Sequence, residues 1–135
     1  MKYLLDTNIC IYTIRQSSPQ TLKRFREHSA GEIGISSITV AELWFGVEKS
    51  KQRKRNTKAL DQFLFPLEVV PFDTPAAITY GAIRTLLESQ GTPIGPLDTL
   101  IAAHALSLGT ILVTNNEKEF KRIPRLQIEN WASIK

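Results

Sequence analysis

The sequence predicts an α/β protein built on a parallel sheet of four to five strands. Strand-like and helix-like segments alternate along the chain, and the strand segments are short and apolar on both faces, as in a sheet covered by helices on each side. No repeat, low-complexity stretch or linker interrupts the 135 residues, so residues 1–135 are read as one domain.

The elements follow in order. Residues 2–5, Lys2-Tyr3-Leu4-Leu5, read as a buried strand ending at Asp6. Asp6, Thr7 and Asn8 all suit an N-cap, and a helix follows over 9–15. Ser17-Ser18-Pro19 breaks the chain before a polar, basic helix over 21–28. Residues 32–36 give a second strand, and Ser36 or Ser37 caps a helix running to about Lys49. Residues 51–65 form another helix, basic first and apolar later, stopped before Pro66; residues 67–70 are the third strand. Asp73-Thr74-Pro75 starts a helix that runs to Gln90 and stops at Gly91, since a cap followed by proline suits a first turn. After the stiff Gly91-Thr92-Pro93-Ile94-Gly95-Pro96 loop, residues 97–108 form a helix closed by Gly109. Residues 110–114 are a fourth strand, 117–122 a short helix and 126–129 a fifth strand.

Composition narrows the chemistry. Apolar residues make up 42% and charged residues 22%, ordinary for a globular domain and too apolar for a disordered chain. One cysteine, Cys10, excludes an internal disulfide and a cysteine-based zinc site. Two histidines, His28 and His104, leave little for a multi-histidine metal site or a Ser-His-Asp triad. The N-terminus reaches Asp6 too soon for a signal sequence, and no stretch approaches the roughly 20 apolar residues of a membrane span, so the expectation is a cytoplasmic protein without membrane contact. The net charge is +4, and cations cluster in three places: Lys49, Lys51, Arg53, Lys54, Arg55 and Lys58 with no acid between; Arg15, Lys23, Arg24 and Arg26; and Lys118, Lys121, Arg122 and Arg125. Such runs suit a polyanionic partner and equally a solvated helix face.

Three acids stand where folding alone does not call for them. Asp6 closes the first strand, and in an open parallel sheet the carboxyl ends of strands face the ligand crevice; a helix cap is the alternative. Glu42 lies between Val40-Ala41 and Leu43-Trp44-Phe45, in a helix apolar enough to be mostly buried, where a carboxylate needs a counter-charge or a function. Asp98 follows the rigid Gly95-Pro96-Leu97 entry into an otherwise apolar helix; a first-turn acid also suits the helix dipole. The fourth strand runs out into Thr114-Asn115-Asn116-Glu117, a further cluster of oxygen-bearing side chains. If the sheet is parallel, these groups share one edge. Carboxylates gathered there repel unless a cation lies between them, and an all-oxygen donor set favours Mg²⁺ or Mn²⁺ over zinc. A metal-activated water beside a phosphate is the chemistry of phosphodiester hydrolysis, and a basic exterior fits a nucleic-acid substrate.

Four segments, in this order, resemble the PIN-domain ribonucleases and, more narrowly, the VapC toxins of bacterial toxin–antitoxin pairs: Leu4-Leu5-Asp6-Thr7-Asn8; Ile38-Thr39-Val40-Ala41-Glu42-Leu43; residues 94–105 from Ile94-Gly95-Pro96-Leu97-Asp98 to His104-Ala105; and Leu112-Val113-Thr114-Asn115-Asn116-Glu117-Lys118-Glu119-Phe120. The resemblance spans essentially the whole chain. It implies a three-layer α/β/α sandwich and a Mg²⁺-dependent endoribonuclease, with Mn²⁺ a possible substitute. It puts Asp6, Glu42, Asp98 and Asn116 in the catalytic cluster and makes Asp6 and Asp98 the main metal ligands. Many PIN domains have a fourth acid where this chain has Asn116; the amide keeps one oxygen for a water or metal but lacks the charge of a second metal site. Glu119 matches a commonly acidic position, and Thr7 and Thr114 match hydroxyl positions that orient a carboxylate or water. The resemblance further implies a structured RNA substrate such as tRNA or ribosomal RNA, 5′-phosphate and 3′-hydroxyl products, a homodimer, and a cognate VapB-type antitoxin whose tail is clamped by the helices at 9–28 and 49–65.

The remaining conspicuous residues are read as structural. His104 lies six positions after Asp98, about 240° around the helix, and so faces away from it. His28 is expected in solvent, and Cys10 in the core. Trp44 and Phe45 are assigned to the core or to contacts between copies, with base stacking as the alternative. Asp61 is read as a helix-face acid, Asp73 as a cap and Trp131 as packing. Two functional alternatives stay open, a PIN-like module that binds RNA or protein without catalysis and a PIN nuclease acting on DNA. A haloacid-dehalogenase-like phosphotransferase would need a second acid where this chain has Asn8.

Overall fold

The structure, a computed structural model, describes residues 1–133 of the chain. Its elements are β1 (Tyr3–Leu5), α1 (Thr7–Arg15), α2 (Pro19–Arg26), β2 (Ile33–Ser36), α3 (Ser37–Glu48), α4 (Arg53–Leu64), β3 (Glu68–Val70), α5 (Thr74–Ser89), α6 (Pro96–Leu108), β4 (Ile111–Val113), α7 (Glu117–Phe120) and β5 (Ile128–Glu129). The strands form one five-stranded sheet in the order β3-β2-β1-β4-β5, and every pairing is parallel. The α/β architecture predicted from the sequence is therefore present, with all five strands. A 3-10 turn, Ala30–Glu32, takes Glu32 out of the second strand.

Alternation along the strands divides the core into two layers. Tyr3 and Leu5 face one side with Ile33, Ile35 and Val113, packed against Ile9, Cys10, Leu43 and Leu60 from α1, α3 and α4. Leu4 and Leu112 face the other side, against Ile83 and Leu87 of α5, Ile101 and Ala102 of α6, and Phe120 of α7. Helices thus cover both faces.

Local chemistry sets the helix ends. Asp6, Ser18, Ser36 and Asp73 each cap the next helix through a side-chain oxygen, with proline in the first turn after Ser18 and Asp73. Gly109, at φ 68°, closes α6 in the left-handed conformation that glycine adopts without strain.

Two further features differ from the sequence reading. His28 is not free in solvent: its ring stacks on Trp131 at 5.2 Å and 13° and meets Tyr3 at 4.6 Å. Trp131 is fully buried and donates its indole N–H to Glu129, which also pairs with Arg24 at 3.0 Å. Trp131→Ala is accordingly expected to cost about 3–5 kcal/mol, the range for emptying a buried aromatic site, measured by urea unfolding. The second difference concerns α3. Only Thr39, Leu43 and Val47 of that helix are buried, while Ala41 and Phe45 are exposed. Its apolar residues run all the way round, yet α1 and α4 pack against only part of it, which leaves a groove.

Candidate active site

Asp6 is placed by the central strand. Its N–H donates to the Val113 carbonyl at 3.0 Å, carrying the β1–β4 pairing one residue beyond the strand. Its Oδ1 accepts from the Ile9 N–H at 2.9 Å and so caps α1. Only 4% of the residue is exposed. Burial raises its pKa to about 6; hydrogen bonds from the Thr114 hydroxyl and the Ile9 amide pull the other way, while the negative charges of Asp98 and Glu42 push it further up. The cap role predicted for this residue is therefore present, on a carboxyl group at the carboxyl end of the central strand.

Glu42 comes from the second turn of α3, which starts directly at the carboxyl end of β2. Its Oε1 accepts from the Thr7 hydroxyl at 2.7 Å, which ties α3 to the first residue of α1. Asp98 sits in the first turn of α6. Its pKa is raised by burial first, then by the charges of Glu119 and Glu42. Glu119, from α7, thus joins the same electrostatic group. Thr114, fully buried at the end of β4, accepts from the Asn116 N–H at 2.9 Å while its hydroxyl faces Asp6. Asn116 stands at the head of α7, partly exposed, and its side chain does not cap that helix.

The carboxyl edge of the sheet therefore brings Asp6, Glu42 and Asp98 within electrostatic reach of one another. None of these three carboxylates pairs with a Lys, Arg or His among the described residues. Nor do any three His, Cys, Asp or Glu side chains there form a ready-made ligand cage. The donor chemistry nonetheless fits a hard cation: the oxygens have no cationic partner among the described residues, the charges of Asp98 and Glu42 bear on Asp6 and that of Glu42 on Asp98, and Mg²⁺ characteristically takes one or two carboxylates while keeping much of its water.

His104 fixes the relation between two of these elements. It is fully buried on α6, and its Nδ1 lies 2.8 Å from the Oγ of Ser36, the residue that caps α3. Burial lowers its pKa, which favours the neutral ring. The helix that carries Asp98 is thereby joined to the head of the helix that carries Glu42. The structural role expected for His104 is the one found.

Beside the acids lies a groove of about 800 Å³ between α1, α3 and α4. Thr7 and Glu42 line its inner end; Ile11, Phe45, Lys49 and Leu60 line its length. The sequence does not reveal this groove, because an all-apolar stretch reads as core whether or not a neighbour covers it. Nor does it distinguish Glu119 as a neighbour of Asp98 from an ordinary acid of a terminal helix.

Comparison with known proteins converges on one group. The PIN domain model matches residues 3–126. The tRNA(fMet)-specific endonuclease VapC of Salmonella typhimurium is 47% identical over 132 residues, which is 98% of this chain and 99% of the relative. Ribonuclease VapC2 of Rickettsia felis is 48% identical over 134 residues, covering 97% and 98%. Among solved structures, DNA-bound VapBC from Salmonella typhimurium superposes with a TM-score of 0.92 at 46% identity over 97% of this chain and 98% of that one. VapBC2 from Rickettsia felis, bound to a promoter DNA fragment, gives 0.89 at 46% identity over 97% and 99%.

Proposed function

The chain belongs to the PIN-domain family and is a VapC toxin, an endoribonuclease, and on that premise we propose that it cuts structured RNA at the carboxyl edge of its sheet, with Asp6, Glu42, Asp98 and Asn116 as the catalytic group. The observation that supports this reading is that the charges of Glu42 and Asp98 bear on Asp6, and that of Glu42 on Asp98, at one sheet edge with no cationic side chain in ion-pair contact among the described residues.

Asp6 and Asp98 would hold the divalent ion, Mg²⁺ or Mn²⁺. When bound, that ion supplies an activated water and positive charge beside the scissile phosphate. Thr114 and the Ile9 amide hold the Asp6 carboxylate ionised and oriented against the cost of its burial. Glu42 is anchored through one oxygen by Thr7, leaving the other to orient the attacking water and take its proton. Asn116 offers an amide oxygen to a water at the same edge, and Glu119 adds negative charge next to Asp98.

The substrate we propose is initiator tRNA, because two of the relatives are named as tRNA(fMet)-specific endonucleases, at 47% and 43% identity. The partners are a VapB-type antitoxin and a second copy of the chain, with α1, α2 and α4 clamping the antitoxin tail; solved relatives are VapBC complexes. The compartment is the cytoplasm; no helix among the described residues is long and apolar enough to cross a membrane.

The test is brief induced expression followed by end-mapping of total cellular RNA, with Asp98→Ala as the control. Cuts concentrated in initiator tRNA, bearing 5′-phosphate and 3′-hydroxyl ends and absent from the control, are expected. The same ends in the Asp98→Ala strain would remove that residue from the site, and cuts confined to another RNA would replace the substrate.

A further inference from the structure

The groove next to the acids has an aromatic ring in an unusual place. Phe45 is 65% exposed although it lies in an apolar helix, in its last turn. Glu42 and Phe45 on α3 and Lys49, its C-cap in helical conformation, stand at i, i+3 and i+7 and so share one face. With a rise of 1.5 Å per residue, Phe45 is about 4.5 Å and Lys49 about 10.5 Å along the axis from Glu42. The Lys49 Nζ lies 4.9 Å from the centre of the Phe45 ring. Arg15, from the last turn of α1, and Asn56, from α4, line the same groove. Neither Lys49 nor Arg15 is in an ion pair among the described residues.

An exposed aromatic flanked by unpaired cations is how proteins hold unpaired nucleotides: the base stacks on the ring and the cations track the phosphates. We propose that Phe45 is the platform for an unpaired base next to the scissile phosphate, with Lys49 and Arg15 holding the backbone of the same strand. The proposal rests on the assignment of Glu42 to the site. Two features favour RNA over a peptide at this ring. Glu42 lies one helical turn away, so the strand being cut passes within reach of Phe45. The nearby cations are also unneutralised, which suits a polyanion. A cut confined to unpaired nucleotides follows, because a base within a duplex cannot reach the ring.

The experiment uses a synthetic hairpin RNA with 2-aminopurine in its loop, bound to the full chain in excess EDTA so that binding is read without cleavage. Wild type quenches the fluorescence. Phe45→Ala and Phe45→Leu both weaken binding by roughly 5- to 100-fold and lose the quench, the size of one lost base–aromatic stack. Phe45→Trp binds as tightly as wild type. Lys49→Ala lowers the slope of log K against log salt by about 0.7, one phosphate contact on a single strand. Melting temperatures stay within a degree or two, because the ring is largely exposed. Phe45→Leu binding and quenching like wild type would overturn the proposal and leave the ring as an apolar contact for a protein. The two readings fail separately. If wild type with Mg²⁺ does not cut RNA, the site assignment falls and the stack with it. If wild type cuts and Phe45→Leu cuts equally well, only the stack falls.

Discussion

Asp98→Ala and Asp6→Asn each lose RNA cleavage by about a thousandfold or more, because each removes several kcal/mol of charge stabilisation from the transition state. The two variants differ in stability. Asp6 is almost fully buried, and its pKa stands at about 6 against an ordinary value of 3.8. Between those values the folded protein binds a proton that the unfolded chain has released. Its stability therefore falls as the pH rises through that window and stays lower above pH 6. The ionised carboxyl costs up to about 3 kcal/mol there. Asparagine keeps the oxygen that caps α1 and drops the charge, so Asp6→Asn is inactive yet more stable at pH 7, and the gain shrinks toward pH 4. Urea unfolding at the two pH values, alongside a cleavage assay, reads both effects. An Asp6→Asn protein that still cuts RNA at the wild-type rate would exclude this carboxylate from the chemistry.

Removing divalent ions gives the second large effect. In excess EDTA the protein is expected to stop cutting, and added Mg²⁺ or Mn²⁺ restores the activity. Its stability should respond in parallel. Ion binding relieves the repulsion among Asp6, Glu42 and Asp98, and saturation to 100 times the dissociation constant adds about 2.7 kcal/mol. The melting temperature of wild type therefore rises with Mg²⁺, while that of an Asp6→Asn, Asp98→Asn double variant does not. Full cleavage in EDTA would contradict a metal role for these acids.

The parts of this arrangement that are readable from the sequence have a local physical cause. Asp6, Ser36 and Asp73 sit where an apolar run ends and a helix begins, and such residues cap helices whatever surrounds them. Gly109 and the prolines mark boundaries in the same way. The acids are conspicuous because they interrupt apolar runs. What escapes the sequence depends on distant neighbours. Phe45 and Leu43 are indistinguishable by pattern, yet Leu43 meets the core and Phe45 meets solvent, because α4 covers one side of α3 and not the other. His28 reads as the end of a polar helix until Trp131, more than a hundred residues on, arrives to stack against it. Glu119 gains its meaning from Asp98, and Asn116 keeps its amide unattached to the helix it heads.

The order of the strands bears on how such a toxin is made. The middle strand of the sheet is the first one synthesised, and the neighbours that flank it arrive with Ile33 on one side and Ile111 on the other. Pairings of such long sequence separation close late and slowly. A nascent chain therefore leaves the ribosome with its central strand still open along one edge until β4 has been made. A premature stop anywhere before β4 releases a fragment without that partner, so the sheet edge that carries Asp6 cannot be completed from the earlier residues alone.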